Sequence, residues 1–280
     1  MKVLFTGRGR SGSWLIRGEQ VAQAMGATAK PDATLDDCRA ADVIVAVKRV
    51  PTQLLTNIRA SGKPWVYDIV DAFPQPLSST WSRAQCLDWL NETIRSLRPT
   101  AVIWPTARMQ DDFGGGWNVI YHHHRPGLAI NPVRERIQII GYEGSEKFLE
   151  GWMPAIEAEC QRLGARFEIN PARLADVDVV LALRGPRWNG YAQQAWKSNV
   201  KMANAHASGT PFIGMPEAGY EETRSGAEYW VKTPEQLAQA LKWLEAQSAR
   251  EEVAARFLPA ALPVERIAKD YQAMLCALNC

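Results

Sequence analysis

The 280 residues predict an α/β protein made of two similar domains, each with a parallel sheet, facing each other across a central cleft. Three observations carry this. Short continuous apolar runs alternate with helical periods, the pattern of strands covered on both faces. A strand, a glycine turn and a helix follow one another twice, and the offset from Gly7 to Gly141 equals that from Asp42 to Asp176. The length also suffices for two compact domains.

In chain order, residues 3–7 read as the first strand and 13–25 as the first helix, with Ser11 or Ser13 as its cap. Residues 41–47 form an apolar strand ending at Lys48, and 65–67 and 101–104 read as further strands. Helices are expected at 52–60 and 81–97. In the second half, 137–141 repeats the first strand, and a helix over 145–163 is closed by Gly164. A strand over 175–183 ends at Arg184. A helix at 197–208, a strand at 211–214 and helices at 234–247 and 263–278 complete the set. Residues 121–134, with Pro126, Gly127 and Pro132, read as the inter-domain linker or as a long loop within one domain. The units are then 1–132, 133–258 and a terminal segment, 259–280.

Hydrophobic residues make up 46% and charged residues 22%, the balance of a globular protein rather than a disordered one. No apolar run reaches the roughly eighteen residues of a membrane span. The first residues enter a strand pattern without a signal-peptide layout. Cys38, Cys86, Cys160, Cys276 and Cys280 are odd in number and lack metal-ligand spacing, which fits a reducing compartment. The expectation is a cytoplasmic monomer. The net charge of +2 hides an asymmetry: Lys and Arg exceed Asp and Glu in residues 1–132, and the reverse holds afterwards.

In open α/β sheets ligands bind beyond the carboxyl ends of the strands, so the cleft is where chemistry is expected. Arg184-Gly185-Pro186-Arg187-Trp188-Asn189-Gly190 follows a strand, and a helix is expected to open at Lys197. A helix N-terminus with its positive dipole end suits a diphosphate, and Arg184 and Lys197 add charge-assisted bonds. The loop Gly141-Tyr142-Glu143-Gly144 is a second candidate cradle, or a tight turn without a ligand.

The run from Lys197 to Gly214 resembles the donor-binding helix and following strand of GT-B glycosyltransferases, which pair two Rossmann-like domains. The carriers are a basic helix start and Ala205-His206-Ala207-Ser208-Gly209-Thr210-Pro211. The resemblance implies that Lys197 and Arg184 contact the diphosphate of a nucleotide sugar, a UDP-hexose, with Ser198, Asn199 and Lys201 nearby. Many retaining members carry a ribose-binding glutamate where this chain has Asn204; Glu217 and Glu222 are candidate replacements. The resemblance further implies that residues 133–258 bind the donor, that 1–132 receive the acceptor, and that the last helix packs back on the first domain. It implies no required metal and no tightly bound cofactor, although Asp111-Asp112 could hold a divalent ion.

Arg8, Arg10, Lys48 and Arg49 all fall just beyond strand ends, which points to an anionic acceptor, DNA being the obvious polyanion. Trp14, Trp81, Trp104, Trp117 and Trp188 could stack a base turned out of a duplex, or lie in the core. Asp71, then Asp68, are candidate bases for the acceptor hydroxyl. Within His122-His123-His124, His124 could reach sugar or acceptor from the hinge, or all three could be exposed linker polarity. In organisation the chain is similar to small phage glycosyltransferases, some of which modify hydroxymethylated pyrimidines in DNA. That implies 5-hydroxymethylcytosine or a relative as acceptor, in a host cytoplasm; a small molecule or glycan is the alternative. Gly7-Arg8-Gly9-Arg10-Ser11-Gly12, with Asp32 downstream, instead fits a nicotinamide-dependent oxidoreductase. A nucleotide-sugar binding protein without transferase activity is a further alternative.

Overall fold

The computed structural model describes residues 1–71, 80–115 and 118–278. It contains two five-stranded parallel sheets. The first comprises β1 (Val3–Gly7), β2 (Thr28–Ala29), β3 (Val43–Val47), β4 (Trp65–Asp68) and β5 (Ala101–Ile103), in the order β2-β1-β3-β4-β5. The second comprises β6 (Ile139–Tyr142), β7 (Arg166–Ile169), β8 (Val179–Ala182), β9 (Phe212–Gly214) and β10 (Tyr229–Trp230), in the order β10-β9-β8-β6-β7. Both sheets therefore share one winding. Every residue of β1, β3 and β8 is buried, the consequence of helices on both faces of an apolar parallel strand.

The helices are α1 (Gly12–Trp14), α2 (Val21–Met25), α3 (Leu35–Ala40), α4 (Thr52–Ser61), α5 (Arg83–Leu97), α6 (Ala107–Asp112), α7 (Met153–Leu163), α8 (Tyr191–Trp196), α9 (Val200–Ser208), α10 (Ala218–Thr223), α11 (Pro234–Leu244), α12 (Gln247–Phe257) and α13 (Val264–Ala277). A widened π turn at Leu15–Gln20 joins α1 to α2, and the Ser11 side chain caps the start by accepting from Trp14 N–H. Gly209 closes α9 at φ 67°, and its N–H satisfies the carbonyls of Ala205 and His206. Among the described residues no helix is long and apolar enough to cross a membrane.

Several expectations need correction. The helix expected to open at Lys197 opens at Val200, with Asn199 at its cap; Lys197 is extended and follows α8. The long helix expected over 145–163 is a 3-10 turn, Glu146–Leu149, followed by α7, whose first turn accommodates Pro154. The strand expected over 175–183 is shorter, because Leu174–Asp176 form a 3-10 turn first. The histidine stretch is no exposed linker, since His122 and His123 are buried. Trp117 and Cys280 lie outside the described residues.

Two packing features position the site. The side chains of α13 join the core of the first sheet, where Ile267, Tyr271 and Met274 meet Val3, Phe5 and Val45. Helix α8, although it lies within the second half of the sequence, also packs into the first half: Ala192, Ala195 and Trp196 share a core with Tyr67, Trp104 and Met109. The chain thus crosses between the sheets at the linker, at α8 and again before α13.

Candidate functional site

Parallel strands present their following loops at one edge, and six of these loops supply the polar groups of the site. From the first sheet come Ser13 beyond β1, Lys48 beyond β3 and Asp71 beyond β4; from the second come Glu143 beyond β6, Arg184 beyond β8 and Glu217 beyond β9. Lys197 approaches from the segment joining α8 to α9, and Lys201 from the first turn of α9.

Asp71 joins the two groups. Its Oδ1 accepts from Lys48 Nζ at 2.5 Å and its Oδ2 from Lys197 Nζ at 2.7 Å, while Lys48 Nζ also reaches Ser13 Oγ at 3.3 Å. Burial pushes the Asp71 carboxyl up, but Lys197 and then Lys48 outweigh it and hold it well below the usual carboxylate range. Burial pushes the Lys197 ammonium down despite Asp71. Opposite stands a second buried pair, Arg184 Nε to Glu217 Oε1 at 2.6 Å. There burial opposes the charge, yet Glu217 keeps the guanidinium raised above its ordinary value.

Lys201 differs from these paired cations. Among the described residues its ammonium makes no hydrogen bond or ion pair; it lies over the Tyr142 ring, 4.1 Å from the centroid. Burial, reinforced by Arg184, lowers it to about 7. Two polar atoms in the same cluster, Glu217 Oε2 and Tyr142 Oη, are buried without a hydrogen-bond partner. Buried polar groups of folded proteins are normally bonded, so an unpaired cation beside two unpaired oxygens marks a place for a polar ligand.

The remaining expected residues are placed as follows. Asp68 is fully buried; Arg17 Nε donates to it at 3.0 Å, Val70 N–H at 3.1 Å, and the Tyr271 hydroxyl also bonds it. A carboxylate so enclosed cannot meet an acceptor, so Asp68 is structural. Asn199 pairs both ways with the His122 backbone, at 2.8 and 3.2 Å, and is fully buried. Ser198 is buried beside it. Asn204 accepts from Arg125 N–H and donates to Glu143 Oε2 at 3.1 Å, while Arg125 Nη2 holds Glu143 Oε1 at 2.8 Å. Glu222 is committed elsewhere: it accepts from the N–H groups of Ala107 and Arg108, at 2.7 and 2.9 Å, and from Tyr121 Oη at 3.0 Å. These bonds fasten α10 to α6.

Gly141 lies inside β6, not in a loop, and a Cβ there would meet Val177 Cγ1 at 2.7 Å. Packing, not a ligand, requires the glycine. Arg8, Arg10 and Arg49 are exposed at the first sheet's edge. His124 is anchored by its N–H to the Leu262 carbonyl at 3.0 Å. Of the candidate stacking surfaces, Trp14 and Trp104 are buried, while the half-buried Trp81 packs on Trp89 and the half-buried Trp188 meets Phe148 edge-on. Asp112 is held by Arg83, Tyr191 and Trp196. Among the described residues no three His, Cys, Asp or Glu side chains gather as a metal site.

Sequence reasoning missed Arg17 and Tyr271, which lock Asp68, and the unbonded hydroxyl of Tyr142. A signal existed for the first: Trp14, Arg17, Gly18 and Val21 share a helix face at i, i+3, i+4, i+7, so Arg17 points to the core.

Two similarly wound parallel sheets, each presenting loop-borne charges to the other, define the GT-B architecture. Solved structures agree over the whole chain. The chain is similar to Anabaena Alr3699/HepE in complex with UDP, with TM-score 0.61, 14% identity, and coverage of 99% of this chain and 100% of that one. It is likewise similar to AviGT4, a glycosyltransferase involved in avilamycin A biosynthesis, with TM-score 0.59, 14% identity, and coverage of 99% and 98%. The apo form of WaaB, a lipopolysaccharide outer core galactosyltransferase, matches with TM-score 0.53, 8% identity, and 99% of each chain. HepE is also known bound to UDP-glucose. No family model and no curated protein sequence matches the chain.

Proposed function

We propose that this protein transfers a hexose from a UDP-sugar to an acceptor hydroxyl. The single observation that carries the reading is the cluster of Lys201, Tyr142 and Glu217, where an unpaired cation and two unpaired buried oxygens meet at the edge of the second sheet. The UDP and UDP-glucose held by HepE, which shares the fold, support the donor class.

Residues 133–258 serve as the donor-binding unit in this reading, apart from α8, and 1–132 as the acceptor unit. Lys201, Lys197 and Arg184 stabilise the charge that develops on the departing diphosphate, inside a site where water screens little. Asp71 is the base: the acceptor O–H bond breaks toward its carboxylate as the new bond to the anomeric carbon forms. The bond from that carbon to the diphosphate breaks with its electron pair left on the diphosphate.

The acceptor meets Arg8, Arg10 and Arg49, so it carries negative charge. Hydroxymethylated DNA fits that charge. The burial of Trp14 and Trp104 favours a smaller anionic glycan or metabolite, because a flipped base needs an aromatic face to stack on. Incubation with UDP-glucose and each acceptor class, followed by mass spectrometry, separates the two: a hexose increment on the DNA nucleoside or on the small anion. Absence of UDP release with every acceptor, together with stabilisation by NAD alone, would end the transferase reading in favour of a dinucleotide enzyme.

A further inference from the structure

Asp71 is placed where the two charged groups of the site meet, and the backbone around it is strained. Val70, a β-branched residue, is held at φ 74° in the left-handed region that such residues avoid, and Lys48 at φ 56° is in the same region, uncommon for any residue but glycine. The Asp71 N–H closes a tight turn onto the Ile69 carbonyl at 2.9 Å. The result is a carboxylate whose two oxygens are each taken by a lysine, one beyond β3 and one beyond α8. A carboxylate gripped in this way is a poor base.

We propose that Asp71 is an internal counter-ion of Lys197, displaced by the donor diphosphate, so that the base acts only once the donor is bound. This rests on the nucleotide-sugar reading above. A diphosphate carries more charge than a carboxylate and competes for the same ammonium. When Lys197 turns to the diphosphate, Asp71 keeps Lys48 alone and gains proton affinity. Among the described residues, the other polar and titratable groups facing this cluster are Ser13 beside Lys48, Arg184 and Lys201 beside Lys197, and the buried His122 beside Asp71. None of them replaces Lys197 on the carboxylate. Donor binding therefore precedes acceptor activation, and an acceptor bound first meets an inert Asp71.

The test is calorimetric titration of the full chain with UDP, comparing wild type with Asp71→Asn after thermal unfolding confirms that the variant folds. Removing the competing anion is expected to tighten UDP binding roughly tenfold while transfer is lost. Equal or weaker UDP binding by folded Asp71→Asn overturns the exchange. Failure of UDP, ADP and GDP to bind either chain overturns the nucleotide-sugar reading itself, and the exchange with it. Should Asp71→Asn not fold, Lys48→Met takes its place. It leaves the whole Asp71 charge on Lys197, so UDP binding falls several-fold, and unchanged or tighter binding overturns the proposal.

Discussion

Lys201 shows how one half-buried charge can make a binding site sensitive to pH. Its ammonium sits near 7 instead of 10.5 because burial, with Arg184 close by, penalises the charged form. Between about 7 and 10.5 the unfolded chain binds the proton and the folded chain does not, so stability rises with pH through that window. A diphosphate favours the charged amine, and the sign for binding is therefore opposite: affinity rises as pH falls through 7. Relative to Lys201→Met, the wild-type affinity for UDP should increase about three- to tenfold from pH 8.5 to pH 6 in calorimetric titrations, a comparison that cancels the phosphate's own titration. Asp68 makes the contrasting case. It is as polar as Asp71 but wholly enclosed by Arg17, Val70 and Tyr271. Arg17→Met leaves a buried carboxylate without its cation and should cost about 3–5 kcal/mol in urea unfolding. A loss below about 1 kcal/mol would show that water reaches Asp68.

At the scale of elements, α8 departs most from what chain order implies. Its one fully buried large side chain is Trp196, which is 1% exposed, lies 5.6 Å from the Phe113 ring and donates from Nε1 to Asp112 at 2.8 Å. The buried hydroxyl of Thr106 adds a bond to the Ala195 carbonyl at 3.1 Å. Docked in this way, α8 delivers Lys197 to Asp71. Trp196→Ala should lower stability by about 3–5 kcal/mol in chemical denaturation and loosen the Lys197–Asp71 contact. A variant that unfolds at the wild-type denaturant concentration would refute that role. The helix was illegible beforehand because six residues are too short a stretch for a helical period to stand out; only contact with Trp104 and Phe113 fixes it.

For the whole molecule, the repeated winding of the two sheets brings the loops carrying Lys48, Asp71, Arg184 and Glu217 together, with Lys197 between them. A ligand that bridges those loops binds only the folded chain. UDP at about 100 times its Kd should add roughly 2.7 kcal/mol, raising the unfolding temperature by several degrees, while NAD leaves it unchanged. The opposite ranking would put the Gly7-Arg8-Gly9-Arg10-Ser11-Gly12 loop in first place as the nucleotide site.

The amino-acid pattern alone determined the two parallel sheets, because continuous apolar runs such as 43–47 and 179–182 can be covered only by helices on both faces. It also determined that Lys48, Asp71, Arg184 and Glu217 stand beyond strand ends, since polarity returns where each run stops. β7 escaped notice: it is an edge strand, half exposed, and Arg166 and Glu168 interrupt any apolar signal. Which charge meets which was decided only by tertiary structure. Asp68 and Asp71 are three positions apart and chemically alike, yet one is sealed by Tyr271 from the far end of the chain and the other held by lysines from two directions. Sequence spacing sets where a side chain begins; the partners that set its charge state arrive from elsewhere in the chain, and packing alone brings them together.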